Sequence, residues 1–180
     1  NTTKALKLLE DTKLLQVILP ELQLAVGFNQ QNTHHDKDVF SHTMAVVEKC
    51  PQVLNIRMAG LLHDIAKPEC FTIDASGIGH FYGHDKKGVM IAGKILRRLK
   101  FDNESIAEVE ILVKEHMNVL NPPTEISVKR LINRVSIKLV FDLFVLQRAD
   151  ALGSRFPQIR LDEINERSEE RRVGKECPRW

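Results

Sequence analysis

The run Ala59-Gly60-Leu61-Leu62-His63-Asp64-Ile65-Ala66-Lys67-Pro68 sets an imidazole, a carboxylate and an ammonium at the end of an apolar stretch that must be buried. Taking ionisable groups out of water is costly unless something neutralises them, and a divalent cation held by nitrogen and oxygen ligands does so. A metal site is therefore the first chemistry these residues suggest. Lys67 follows Asp64 by three positions and His63 by four, so helical winding puts it on their face. There it could contact a phosphate group or simply close the last helical turn.

The His-Asp pair recurs at His35-Asp36, His63-Asp64 and His84-Asp85, so the dipeptide alone says little. The first lies in a polar stretch, and the third opens a helix, where the dipole favours Asp85. Only the middle pair sits in an apolar helical run, behind small Ala59 and Gly60 that would let another helix approach. Successive helical side chains diverge by about 100°, so His63 and Asp64 are not expected to saturate an ion by themselves. Further ligands must come from elsewhere. His42 stands early in a helix whose Val39, Val46 and Val47 form a core-facing stripe. Asp150 closes the apolar segment 139–150, eight residues after Asp142 and expected on a similar face. His84 opens one helix and His116 nears the end of another. The ordered candidate ligands are thus His42, His63, Asp64, His84, His116 and Asp150. His34, His35 and His80 are read as ordinary core or surface histidines, and Asp38 fits a helix cap at least as well as a ligand-orienting role.

The elements that must position these groups are almost all helical, because apolar residues recur at helical spacing nearly throughout. Leu6, Leu9, Leu14, Leu15, Ile18 and Leu22 make a lead-in of one or two helices, broken at Pro20 and stopped near Gly27. Helices are expected from Val39, from after Pro51 to Pro68, and over 85–99, 104–117, 127–135 and 137–152. Phe71-Thr72-Ile73, turning at Asp74-Ala75-Ser76-Gly77, allows a small hairpin. The fold class is all-α, a single helical domain with at most one small β-hairpin. Its expected divisions are a lead-in over 1–27, a main domain over 28–160 and a polar tail over 161–180.

At 180 residues and 43% hydrophobic composition the chain suffices for one well-packed domain. A formal net charge of +2 points to no class of partner. No apolar run is long enough to span a membrane and no signal pattern opens the chain, so a cytoplasmic location is expected. Cys50, Cys70 and Cys177 lack CxxC spacing, which indicates neither a disulfide framework nor a zinc–thiolate site. The start at Asn1, with a helical pattern already under way, suggests a piece of something longer. From Glu166 to Trp180 the periodicity gives way to a charged run, which is set outside the fold.

The ordered set His42, His63-Asp64, His84, His116, Asp150 resembles the HD superfamily of metal-dependent phosphohydrolases, in particular its dinuclear phosphodiesterase-like members. Three flanking runs narrow the resemblance: His35-Asp36-Lys37-Asp38-Val39-Phe40-Ser41-His42-Thr43, Leu61 to Pro68, and Gly79-His80-Phe81-Tyr82-Gly83-His84-Asp85-Lys86-Lys87-Gly88. They are similar to the HD domain of bacterial tRNA nucleotidyltransferases and poly(A)-polymerase-like proteins, as is the lead-in Leu14 to Leu22. The likeness covers residues 10–152. It implies a nucleotidyltransferase head before Asn1 that this chain does not supply, so nucleotidyl transfer is not expected of it.

The resemblance implies one or two divalent transition-metal ions, with mixed imidazole and carboxylate ligands suiting Mn, Fe, Co, Ni or Zn better than Mg. His42, His63, Asp64 and Asp150 would hold the first, and His84, His116 and a bridging Asp64 the second. The expected function is metal-dependent hydrolysis of a phosphate ester on a nucleotide or RNA end, with Asp64 and Lys67 as the catalytic pair. Guanosine-tetraphosphate hydrolysis is disfavoured, because Ile65-Ala66-Lys67 stands where that group carries a Glu-Asp element. The alternative is a non-catalytic body that positions tRNA for the absent head. Arg130, Arg134 and Lys138, at four-residue intervals opposite Val128, Leu131, Ile132 and Val135, would then follow the RNA backbone with Lys94, Arg97, Arg98 and Lys100. A solvated helix face is the plainer account of that line.

Overall fold

The computed structural model describes residues 2–28, 38–120 and 123–154. Within them the helical periodicity becomes α1 (Thr2–Asp11), α2 (Leu15–Ile18), α3 (Pro20–Gln23), α4 (Val39–Lys49) and α5 (Leu54–Leu62), followed by α6 (His84–Arg98), α7 (Asn103–Glu115), α8 (Glu125–Val135) and α9 (Val140–Gly153). Between α5 and α6 lie the short strands β1 (Thr72–Ile73) and β2 (Gly79–His80), paired antiparallel with Thr72 opposite His80 and Ile73 opposite Gly79. The domain is all-α with one minor hairpin. His34, His35, Asp36 and the tail from 161 onward, Trp180 included, lie outside the described residues. No described helix is long and apolar enough to cross a membrane.

Polar caps set several boundaries. The Asp38 carboxylate accepts from Ser41 N at the start of α4 and from Gly27 N, each at 2.7 Å, which ties the lead-in to the domain. Asp102 accepts from Ser105 N at the head of α7, and Thr124 forms a capping box with Ser127 at the head of α8. These caps explain why both helices start slightly before the expected 104 and 127. In the hairpin turn the Asp74 carboxylate accepts from Ser76 N and Ile78 N, while Gly77 supplies a positive φ.

Helix α4 packs between α1, α5 and α9, while α7 lies against α5 and α6. Leu62, Ile95, Leu96, Leu112, Leu131, Leu143 and Leu146 are fully buried where these helices meet, and each contributes about 1.5–3 kcal/mol relative to exposure. Gly60 makes the α4–α5 contact close, since a Cβ there would stand 3.0 Å from Cys50 Sγ.

Four expectations change. The lead-in stripe is broken: Leu6, Leu15 and Leu22 are buried, but Leu14 and Ile18 face outward, because the left-handed turn at Lys13 and the break at Leu19 rephase the short helices. The helix expected to reach Pro68 ends at Leu62 and gives way to consecutive turns. Their bonds run Ile65 N to Leu62 O, Lys67 N to Asp64 O and Glu69 N to Ala66 O, a tighter winding than the α-helix. Lys138 does not continue the line of α8, which stops at Val135 before Ser136 at a φ of 76°. Asp142 does not share the face of Asp150, because eight residues of α-helix leave them about 80° apart.

Candidate metal centre

His63 caps the C-terminus of α5, His116 caps that of α7, and His84 is the first residue of α6. Each donates Nδ1–H to the carbonyl three residues earlier: His63 to Gly60 O at 2.8 Å, His84 to Phe81 O at 2.7 Å and His116 to Val113 O at 2.6 Å. A carbonyl only accepts, so these contacts assign the hydrogen of each neutral ring to Nδ1 and leave Nε2 with its lone pair. For His84 the geometry depends on Gly83, whose φ of 75° turns the chain from the hairpin into α6.

His42 from α4 and Asp150 from α9 complete the arrangement. His42 Nε2 lies 3.0 Å from Asp150 Oδ1 and 3.7 Å from Asp64 Oδ2, with Nδ1 near Gly153 O at 3.4 Å. Asp64 is central. Its Oδ2 is 3.2 Å from His63 Nε2 and 2.8 Å from Lys67 Nζ, and its Oδ1 is 3.6 Å from His84 Nε2 and 3.8 Å from His116 Nε2. Thus His63 and Asp64 converge, against the divergence expected on an α-helix. The i→i−3 winding after Leu62 and the clamp of His63 on Gly60 O account for the difference.

All six candidate ligands are buried, as is Lys67. Burial works against charge on Asp64, but His63, Lys67 and His42 outweigh it and hold the carboxyl well below its ordinary range. Burial also disfavours charge on His63, and the carboxylates of Asp64 and Asp150 overcome it and raise the pKa. His116 shows the opposite balance: burial, with His63 alongside, pushes it down to about 4. Its lone pair is free at neutral pH.

The residues fit a cation. The Nε2 atoms of His63, His84 and His116 are buried and have no hydrogen-bond partner, a costly state unless an electron-pair acceptor sits among them. Among the described residues, two groups have ligand atoms within 4.8 Å of one another: His42, His63 and Asp64, and Asp64, His84 and His116. Asp64 belongs to both. The C-termini of α5 and α7 also bring negative partial charge to this place.

Several supporting residues escaped the sequence reading. Gln147 Nε2 donates to His116 O at 3.1 Å and to Asn118 O at 3.2 Å, fixing the end of α7 from α9. It stands three residues before Asp150, a same-face spacing that could have flagged it. Gly153 lets α9 approach α4, since a Cβ there would lie 2.9 Å from Val46 Cγ2 and 3.4 Å from His42 Cε1. Glu115, buried beside His116, accepts from Arg134 Nε at 3.1 Å and from Asn118 Nδ2 at 2.8 Å.

The basic line is placed differently. Arg130 is exposed on α8, Arg134 is paired with Glu115, and Lys138 Nζ reaches Glu104 at 3.1 Å and Glu108 at 2.6 Å. Arg97 pairs with Glu110 and Arg98 with Glu21.

The family model described as HD domain matches residues 39–152. The chain is 37% identical over 158 residues to the A-adding tRNA nucleotidyltransferase of Deinococcus radiodurans, covering 83% of this chain and 35% of that protein. It is 36% identical over 171 residues to the CC-adding tRNA nucleotidyltransferase of Thermus thermophilus, covering 92% of this chain and 39% of that one. A multifunctional CCA protein of Azoarcus sp. is 31% identical over 117 residues, 63% of this chain and 28% of that protein. The chain therefore spans less than two-fifths of the length of these curated relatives.

Proposed function

The chain belongs to the HD domain family, and from that premise we propose that its buried cluster binds one or two divalent transition-metal ions and hydrolyses a phosphate ester on a nucleotide or RNA end. The observation that carries this reading is the convergence of three partnerless imidazole nitrogens on the ionised Asp64. His42, His63, Asp64 and Asp150 would hold one ion, and His84, His116 and the shared Asp64 the other. Nitrogen and carboxylate donors suit Mn, Fe, Co, Ni or Zn. When bound, such ions supply Lewis acidity that acidifies water and offsets charge on phosphoryl oxygens.

The chain's own groups do the rest. The three Nδ1–H···O=C clamps fix ring orientation, so the donor set is pre-organised rather than assembled around the substrate. The Lys67 ammonium, 2.8 Å from Asp64 Oδ2 and 5.3 Å from the Phe81 ring centroid, is held beside the cluster where it can meet a phosphoryl oxygen. The tRNA in the names of the relatives supports an RNA end as the source of the phosphate.

The test is metal analysis of the purified chain together with hydrolysis of nucleoside 2′,3′-cyclic phosphates and phosphomonoesters. Hydrolysis should depend on added transition metal and fall to background in His63→Ala and Asp64→Ala; unchanged turnover in both variants rejects the reading. A second reading, favoured by those same names, makes the domain a non-catalytic tRNA-positioning body. Arg130→Glu separates the two, because it removes an exposed cation without breaking the pairs of Arg134 or Lys138. Weaker tRNA binding with a shallower salt dependence supports positioning, while small-substrate hydrolysis should be unaffected.

A further inference from the structure

Tyr82 has the most exposed large side chain of apolar body among the described residues, at 78%, yet its ring is held in place. It stacks on His80 with centroids 5.2 Å apart and planes 9° from parallel. His80 is itself anchored, with Nε2 2.8 Å from Asp74 Oδ2, and the same carboxylate caps the hairpin turn through Ser76 N and Ile78 N. The intervening Phe81 packs on Phe71 at 5.5 Å, lies under the Lys67 ammonium and gives its carbonyl to His84 Nδ1. The residues 80–84 therefore carry a fixed, solvent-facing aromatic pair and a metal-centre histidine in one short run.

From this juxtaposition we propose that the Tyr82–His80 pair is a stacking subsite for the nucleobase of the nucleotide whose phosphate enters the metal centre. An exposed ring gains nothing from burial in the free protein, and holding it in one orientation lowers the entropy lost on binding a flat partner. Base stacking on an aromatic face is also tolerant of sequence, which suits a terminal base whose phosphate is the reacting group. The chain allows the reach: Tyr82 and His84 are separated only by Gly83, at most about 7 Å between their Cα atoms. That is comparable with the extent of a nucleotide from base to phosphate.

The inference rests on the reading that the centre takes a nucleotide phosphate, and its test does not need turnover. Calorimetry on the metal-loaded chain compares adenosine monophosphate with ribose 5-phosphate, which lacks the base. The wild-type protein should prefer the nucleotide by about tenfold, Tyr82→Ala should abolish that preference without changing the affinity for ribose 5-phosphate, and Tyr82→Phe should restore it. An oligoribonucleotide with and without its terminal base repeats the comparison for an RNA end. A base preference in either arm that disappears in Tyr82→Ala upholds the subsite. Absence of preference in both arms, or an equal loss for base-bearing and base-less ligands, overturns it. Failure of the hydrolysis assay alone bears on the metal chemistry and leaves this comparison decisive.

Discussion

At the buried cluster, the Nε2 atoms of His63, His84 and His116 have no partner, whereas along the edge formed by α6, α7 and α8 the cations of Arg97, Arg98, Arg134 and Lys138 all reach carboxylates. Both regions are dense in ionisable side chains. They differ in solvent and in satisfaction: each edge cation is exposed, even where its carboxylate, as at Glu115, is not, and an exposed ion pair contributes little, while the cluster keeps polar atoms in the core with their bonding capacity unused. An unsatisfied buried group points to a missing ligand, and a satisfied surface group points to scaffold.

The contrast can be broken most severely at Asp64. Asp64→Ala should eliminate bound metal in elemental analysis and leave the Lys67 ammonium buried without its carboxylate, lowering the unfolding free energy of the metal-free protein by about 3–5 kcal/mol. A denaturant titration with an unchanged midpoint would show that the pair does not lie in the core as described.

Acidification probes the same region with a definite sign. His116 has a folded pKa of about 4 against an ordinary 6.5, so between those values the unfolded chain binds the extra proton and stability must fall as pH falls. The loss should approach about 3 kcal/mol by pH 4. His63, whose pKa is raised, acts at the other side: its contribution is complete below 6.5 and fades as pH climbs through its folded value. Asp64, depressed, holds its contribution until pH drops below 3.8. Unfolding curves of metal-free His116→Gln should accordingly be flatter over pH 4 to 6.5 than those of the wild type.

Gln147 sharpens the contrast by acting on one half of the cluster. Gln147→Leu removes the donor to His116 O and Asn118 O, and should cost about 1–3 kcal/mol. It should also weaken metal binding at the Asp64, His84 and His116 group about 10–100-fold, with the His42, His63 and Asp64 group retained. Calorimetric titration with Co(II) resolves the two. The smallest effect belongs to the edge: Lys138→Ala should leave the melting temperature and hydrolysis unchanged within error, since Glu104 is exposed and Glu108 keeps Asn55 as a donor. A clear loss there would erase the distinction between the regions.

Much of the helical frame was legible because it follows from local pattern. Helices α6 and α7 fall close to 85–99 and 104–117, and the hairpin falls at Thr72–Ile73 and Gly79–His80. Boundaries moved where a side chain competed with the backbone, as at Asp102, Thr124 and Gly60 O, the last engaged by His63. The cluster residues could be listed in order along the chain, but Gly153 could not be singled out, and Gln147 only by its spacing from Asp150. Their importance lies in what α4 and α7 bring against them. The basic line was incomplete for the same reason: four-residue spacing cannot reveal that Ser136 breaks α8, or that Glu115 pairs with Arg134.

By itself, the sequence determined that the chain is helical, that a histidine and a carboxylate would be buried together at His63-Asp64, and that imidazole and carboxylate donors recur from His42 to Asp150. Those are consequences of periodicity and residue type, which act over a few positions. Only the tertiary structure decided that these donors meet, that Asp64 serves both groups, and that Arg97, Arg98, Arg134 and Lys138 are paired with carboxylates. Such facts depend on helices distant in sequence packing to within a few ångströms, and it is there that desolvation and close charges set which groups are satisfied and which still need a ligand.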